Sequence, residues 1–266
     1  MKPANDIQNE PYVVRCDSNG VATLTLNRPG QFNALSQAMI AALQSQLDAI
    51  ASEVAVRVVV IAGAGKAFCA GHDLKEMRAN HEKSFMQELF KQCGRMMMTI
   101  TQMPQPVIAR IHGIATAAGC QLVSMCDLAV AAEGARFATS GINVGLFCAT
   151  PAVGLSRNLG RKQALEMLLT GEFIDAPTAL RQGLINRVVS LDALDAEVDK
   201  LAQAVVAKSS VAIAMGKQMF YKQLEMGLDA AYQYASEVMA CNMMTDDAAE
   251  GIDAFIGKRQ AEWKGC

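Results

Sequence analysis

The chain has 266 residues, 52% of them hydrophobic and 19% charged, which is enough apolar material for a sizeable core and argues against disorder. A formal net charge of -2 and a pI near 6.0 exclude a broad basic field for nucleic acid or anionic lipid, so any anionic ligand has to be held by a local cluster. The 8 cysteines form no CxxC pair, which argues against a zinc framework or a redox dithiol and for free thiols in a reducing cytosol.

The N-terminal stretch MKPANDIQNEPYVV has neither the charged-then-apolar order of a secretory signal nor the character of a transit peptide, so a cytoplasmic location is expected. Apolar runs such as residues 58–64 fall well short of the roughly 20 residues of a spanning helix, and no membrane association is expected. Residues 12–16 and 21–26 flank the turn cluster Asp17-Ser18-Asn19-Gly20 and predict a hairpin. Ser36 can cap a helix whose apolar residues Met39, Ile40, Leu43, Leu47 and Ile50 recur at helical spacing. A buried strand over 57–62 completes one βαβ unit. A helix over 82–102, punctuated by Pro104 and Pro106, leads to a strand over 107–111. The turn Ala117-Ala118-Gly119 opens a short helix before a strand over 128–132. From Ala152 onward the pattern is helical, with candidates at 177–182, 191–207, 211–224, 228–243 and 247–260. So many helices cannot all cover one sheet, and some are expected to pack against another subunit. The 16 methionines suit such packing but are equally explained by core filling.

Two segments carry the chemistry. Residues 66–74, containing Ala70-Gly71-His72-Asp73-Leu74, follow one buried strand, and residues 113–122, containing Ala118-Gly119-Cys120-Gln121-Leu122, follow the next. Both put small residues at strand ends, where α/β folds bind ligands and helix N-terminal amides point outward. Two such turns can aim two N–H groups at one oxygen and stabilise charge developing there. Taken singly and on spacing alone, each turn reads more simply as tight helix–strand packing.

Asn27-Arg28-Pro29, Asn33-Ala34-Leu35, the Ala70 and Ala118 segments, Cys126-Asp127, Leu169-Thr170-Gly171 and a C-terminal run from Glu250 through Phe255 to Lys258 and Arg259 together resemble the crotonase superfamily, the enoyl-CoA hydratase/isomerase family, over nearly the whole chain. Phe137-Ala138-Thr139, Asn143 through Cys148 and Phe220 through Leu224 are similar to its subgroup called enoyl-CoA hydratase domain-containing protein 3. The resemblance implies an α/β crotonase (ClpP-like) fold of repeated ββα units over 1–200 and a C-terminal helical trimerisation region over 201–266 that also covers the CoA site. It implies a homotrimer or hexamer. It implies an acyl-CoA or enoyl-CoA substrate whose thioester oxygen is held by the backbone amides of His72 and Ala118, with no metal and no cofactor, coenzyme A being part of the substrate. Residues expected along the CoA ester are Arg28, Ala34, Ala70, Lys75, Gly119, Phe255 and Lys258, the last reaching a neighbouring subunit's CoA or simply facing solvent.

By the same resemblance, the two glutamates with which hydratases activate water fall on Gln121 and Gly141. An amide orients water but cannot accept its proton, and glycine supplies no group; no Asp or Glu stands between Glu133 and Glu166 to substitute. Ordinary hydration is therefore expected to be slow. A lyase or isomerase of this family remains, as do decarboxylation, thioester hydrolysis and acyl-CoA binding with little turnover. The His72 imidazole is a candidate base or a turn cap. His112, Cys148, Asp73 and Asp127 are expected to serve structure.

Overall fold

The computed structural model describes residues 10–266. The opening hairpin is present as β1 (Val13–Ser18) and β2 (Val21–Leu26), paired antiparallel with Ser18 opposite Val21. Asn19 and Gly20 have φ of 50° and 77°, the doubly positive pair that a tight hairpin turn requires. From β2 the chain crosses through α1 (Gln37–Ile50) to β3 (Val58–Gly63), then through later helices to β5 (Val107–Ile111), β7 (Leu128–Ala132) and β10 (Arg187–Val189), each parallel to its neighbour. The result is a 6-stranded sheet in the order β1-β2-β3-β5-β7-β10.

Burial on both faces explains why these strands read as unbroken apolar runs. Val59, Ile61, Val107 and Ala109 join the main core with Met39, Leu43 and Leu47 of α1 and Met96 and Ile100 of α3 (Lys83–Gln102). The alternate residues Val58, Val60, Ile108 and Val130 pack on Leu194, Val198 and Ala202 of α8 (Leu194–Val206). Helix α1 starts where expected, with the Ser36 hydroxyl accepting from the Met39 amide at 3.2 Å.

A second sheet was not read from the sequence. It is built of β4 (Ala67–Cys69), β6 (Ile114–Thr116), β8 (Arg136–Ala138) and β9 (Ile174–Asp175), the first three mutually parallel. Each strand spans only 2 or 3 residues, too short for a period to register. Together the sheets give the repeated ββα unit: β3, β4 and α2 (Leu74–Ala79); β5, β6 and α4 (Ala118–Met125); β7, β8 and α5 (Ala149–Asn158). Then come α6 (Arg161–Thr170), α7 (Ala176–Gln182), α9 (Ser210–Gln223), α10 (Leu228–Met243) and α11 (Asp246–Ile256). Three corrections apply to the helical half: α5 and α6 were not among the expected helices, β9 and β10 interrupt it, and α11 ends at Ile256, short of residue 260. Lys258 has φ of 50° and lies beyond the helix.

Helix α9 is fastened to the core by one buried polar cluster. The Lys217 ammonium donates to Ile100 O, Gln105 O (both 2.8 Å) and Asp127 Oδ2 (2.7 Å). Asp127 also accepts from the Tyr221 hydroxyl at 2.8 Å and the Val107 amide at 2.6 Å. Asp127, expected to serve a turn, thus joins β5, β7 and α9. Burial pulls the Lys217 ammonium below its ordinary range, against the pull of Asp127.

Candidate active site

Three loops leave the carboxyl ends of the parallel strands β4, β6 and β8, the ends at which open α/β sheets bind ligands. The first carries His72, the second Ala118 and Gln121, the third Gly141. Small residues let the first two touch at the backbone: a Cβ on Gly71 would lie 2.8 Å from Ala117 Cβ and 3.1 Å from the Ala118 nitrogen. A Cβ on Gly119 would sit on the Cys69 carbonyl. The third loop is tied in by Ala117 N to Ala138 O at 3.0 Å and by the hydroxyls of Thr116 and Ser140, 2.7 Å apart.

Ala118 is the first residue of α4, so its N–H points out of the helix with no carbonyl of its own helix to meet. The preceding Ala117 has φ 50° and ψ -121°, a conformation costing a non-glycine residue about 1–3 kcal/mol. It is held there by its bond to Ala138 O and by donation from Gln121 N to its own carbonyl at 3.1 Å. Among the described residues, neither the Ala118 nor the His72 amide has an acceptor. The two N–H groups without acceptors thus lie on loops in backbone contact, one of them at a helix N-terminus, where partial positive charge collects.

Gln121, Gly141 and Cys148 bring no carboxylate to this point. Gln121 is buried, and its Oε1 is enclosed without a partner among the described residues. At Gly141 the space is already filled: a Cβ there would come within 2.6 Å of Leu146 O and 2.8 Å of Cys148 Sγ. Leu146 N donates to Gly141 O at 2.9 Å, which closes the loop on itself. Burial pushes the Cys148 thiol above its ordinary range, in keeping with an inert sulfur.

His72 Nδ1 lies 3.2 Å from Leu35 O, and its ring meets Phe90 of α3 edge-on, with centroids 5.4 Å apart. Nε2 is enclosed without a partner among the described residues. Burial pulls the imidazole's pKa below its ordinary range, against the bond to Leu35. Beside it opens a cavity of about 570 Å³ whose apolar walls come from Leu74, Met77, Met86, Phe90, Val144 and Leu146.

The chain therefore brings Ala70, His72, Ala118, Gly119, Gln121 and Gly141 together. Ala34 joins them, because Ala70 N donates to Phe32 O at 3.0 Å and Leu35 N to Gly71 O at 2.7 Å. Asn33 makes that docking possible and was not singled out as a site residue. Fully buried at φ 55°, it accepts from Arg28 N (2.9 Å) and donates to Ala64 O and Ala67 O (both 2.8 Å). Asparagine's tolerance of the left-handed region was the available signal. Lys75 is exposed on the first turn of α2, after Asp73, whose carboxylate accepts from the Lys75 amide at 2.9 Å. Arg28 is committed elsewhere: its guanidinium stacks 3.6 Å above Tyr12 and donates to the carbonyls of Glu10, Pro11 and Asn27. His112 bonds Gly65 O through Nε2 at 2.9 Å, a structural role. Phe255 and Lys258 are not brought to these loops; Phe255 lines a groove with Ala212, Ile252 and Trp263.

Comparison with known proteins shows the family. The family model described as Enoyl-CoA hydratase/isomerase matches residues 17–266. A Xenopus laevis protein named "Enoyl-CoA hydratase domain-containing protein 3, mitochondrial" is 44% identical over 263 residues, 99% of this chain and 90% of that one. The solved structure of a Mycobacterium smegmatis enoyl-CoA hydratase superposes with a TM-score of 0.94 at 57% identity, covering 96% of this chain and 99% of the other. Human enoyl Coenzyme A hydratase domain-containing protein 3 superposes at 0.92 with 42% identity, over 95% and 100% of the two chains. These relatives overturn the cytoplasmic expectation, since the frog, rat, mouse and human proteins are all named mitochondrial. Free thiols and a mild net charge do not distinguish one reducing compartment from another, and most of the N-terminal stretch read for a leader lies outside the described residues.

Proposed function

The chain belongs to the enoyl-CoA hydratase/isomerase family, and from that premise we propose that it binds acyl-CoA thioesters with the carbonyl oxygen between the Ala118 and His72 amides, and that its turnover passes through a thioester enolate rather than through ordinary hydration. The observation that carries the reading is the filled position at Gly141, where Cys148 Sγ and Leu146 O take the space of a side chain's first carbon. Hydration needs a base to take a proton from water and an acid to deliver one to carbon, each contributing about 10²- to 10⁴-fold. Gln121 and Gly141 supply neither. The amides are independent of side-chain identity, so polarisation of the thioester survives both replacements.

The same absence favours a second reading, an acyl-CoA-binding protein with little turnover. Lyase, isomerase, decarboxylase and thioesterase chemistry all draw on the one oxyanion-binding pair. We further propose that Phe255 and Lys258 act across a subunit boundary in a homotrimer or hexamer. Large apolar side chains of α10 and α11 are bare in the isolated chain: Leu228, Met239 and Phe255 are exposed by 77%, 65% and 85%.

Calorimetric titration with saturated, enoyl and malonyl-type CoA esters, paired with product analysis, tests the proposal. Binding of all three with turnover of at least one is expected, and binding without any product supports the second reading. Gln121→Ala retains binding, whereas Ala118→Val weakens it by crowding the amide. Undiminished affinity in Ala118→Val contradicts the placement of the oxygen.

A further inference from the structure

The cavity of about 570 Å³ beside the paired loops has a lining of two kinds. Toward the loops it is apolar: Leu74 follows His72 by two residues, Phe90 meets the His72 ring edge-on, and Leu146 N donates to Gly141 O. Met77 and Met86 continue that wall. The rest of the lining is Arg78, His81, Glu82 and Lys83, all exposed, from the end of α2, the linker after it and the start of α3. Among the described residues, none of these four side chains has a hydrogen-bond or ion-pair partner.

Helix stability explains only one of the two cations. Arg78 stands in the last turn of α2, where positive charge is favoured by the helix dipole. Lys83 is the first residue of α3, where positive charge is disfavoured, and Glu82 before it makes no capping bond. Arg78, Lys83 and the N–H of His81 thus stand against the single carboxylate of Glu82, a surplus of positive donors at the rim of an apolar trough. A wholly apolar acyl chain gains nothing from such a rim. A carboxylate at the far end of the chain would be costly to bury among Met77, Met86 and Phe90, but at the rim it stays hydrated and meets donors that lack a partner.

Resting on the thioester reading above, we infer that this cavity takes the acyl chain and that its rim selects acyl groups ending in a second carboxylate, the ω-carboxyacyl-CoA esters. Arg78 and Lys83 read the terminal charge, and Glu82 limits the preference. Two exposed ion pairs of this kind are worth about threefold to tenfold in affinity, and less as salt screens them.

The test compares esters of equal chain length, adipoyl-CoA with hexanoyl-CoA and suberoyl-CoA with octanoyl-CoA, by calorimetric Kd at low and high salt. In at least one pair the wild type is expected to bind the ω-carboxy ester about threefold to tenfold more tightly at low salt, with the ratio shrinking at high salt. Arg78→Gln/Lys83→Gln is expected to bring the ratio to one or below while the plain ester keeps its Kd, and Glu82→Gln to raise it. A wild type that binds the plain ester as tightly or more tightly at both lengths overturns the inference. So does a double variant that keeps the preference, and so does one that loses both esters alike, because the pair then supports the cavity instead of reading charge. A wild type that binds none of the four esters refutes the thioester reading itself.

Discussion

At Gly141 the loop leaves no room for a side chain. Cys148 Sγ and Leu146 O stand where a Cβ would go, and Leu146 is a backbone neighbour that cannot rotate away. Gly141→Ala is therefore expected to destabilise the protein by about 1–3 kcal/mol in chemical denaturation, the usual cost of overpacking, with part of the loss relieved in Gly141→Ala/Cys148→Ala. A neutral Gly141→Ala would show the loop to be loose. For the same reason Gly141→Glu alone is not expected to bring back hydration. The sequence pointed to positions 121 and 141 through family resemblance. It did not carry the plug, because contact between residues 141 and 148 is made by a turn whose closure is a backbone bond rather than a pattern of side chains. Nor did it reveal Asn33, whose work is to feed three or more backbone groups at once from a buried left-handed position.

Among the elements, long periodic ones were legible and short ones were not. Helix α1 with its Ser36 cap, strands β3, β5 and β7, and the Asn19-Gly20 hairpin follow from spacing and turn chemistry. The small sheet of β4, β6, β8 and β9 is invisible to periodicity, yet its strand ends hold the site. Helix α5 buries Pro151, Gly154 and Leu155, two of them residues that read as turn signals, where α1 buries five large apolar side chains. The attachment of α9 is also tertiary: Lys217 and Asp127 are 90 residues apart. Removing the ammonium leaves a carboxylate buried with only its hydroxyl and amide donors, so Lys217→Ala is expected to lose about 3–5 kcal/mol. Lys217→Met, which keeps the packing, should still leave that charge unpaired and approach the same loss. A change near zero in urea denaturation would mean that the cluster does not hold α9 to the core.

On the scale of the whole molecule, the core layers are closed on both faces of the large sheet while α9, α10 and α11 leave large side chains uncovered. Tyr232 and Met244 are 70% and 85% exposed, in a chain whose main core is otherwise sealed. Light scattering in dilute solution is expected to give three or six times the 28.4 kDa chain mass. A single-chain mass would remove the basis for placing Phe255 and Lys258 at a neighbour's ligand. The excess of helices over available sheet surface was readable from the sequence; which faces they leave bare was not, since that depends on how the Lys217 strut sets their angle.

The central claim is that this site holds and polarises a thioester but does not activate water. The measurement that bears on it most directly is the decay of crotonyl-CoA absorbance at saturating enzyme, in a sample whose binding of the ester has been established by titration. Hydration orders of magnitude below the roughly 10 s⁻¹ of a typical enzyme is the expected result. Hydration at or above that rate would contradict it, and would mean that Gln121 and the closed Gly141 loop leave room for water activation after all.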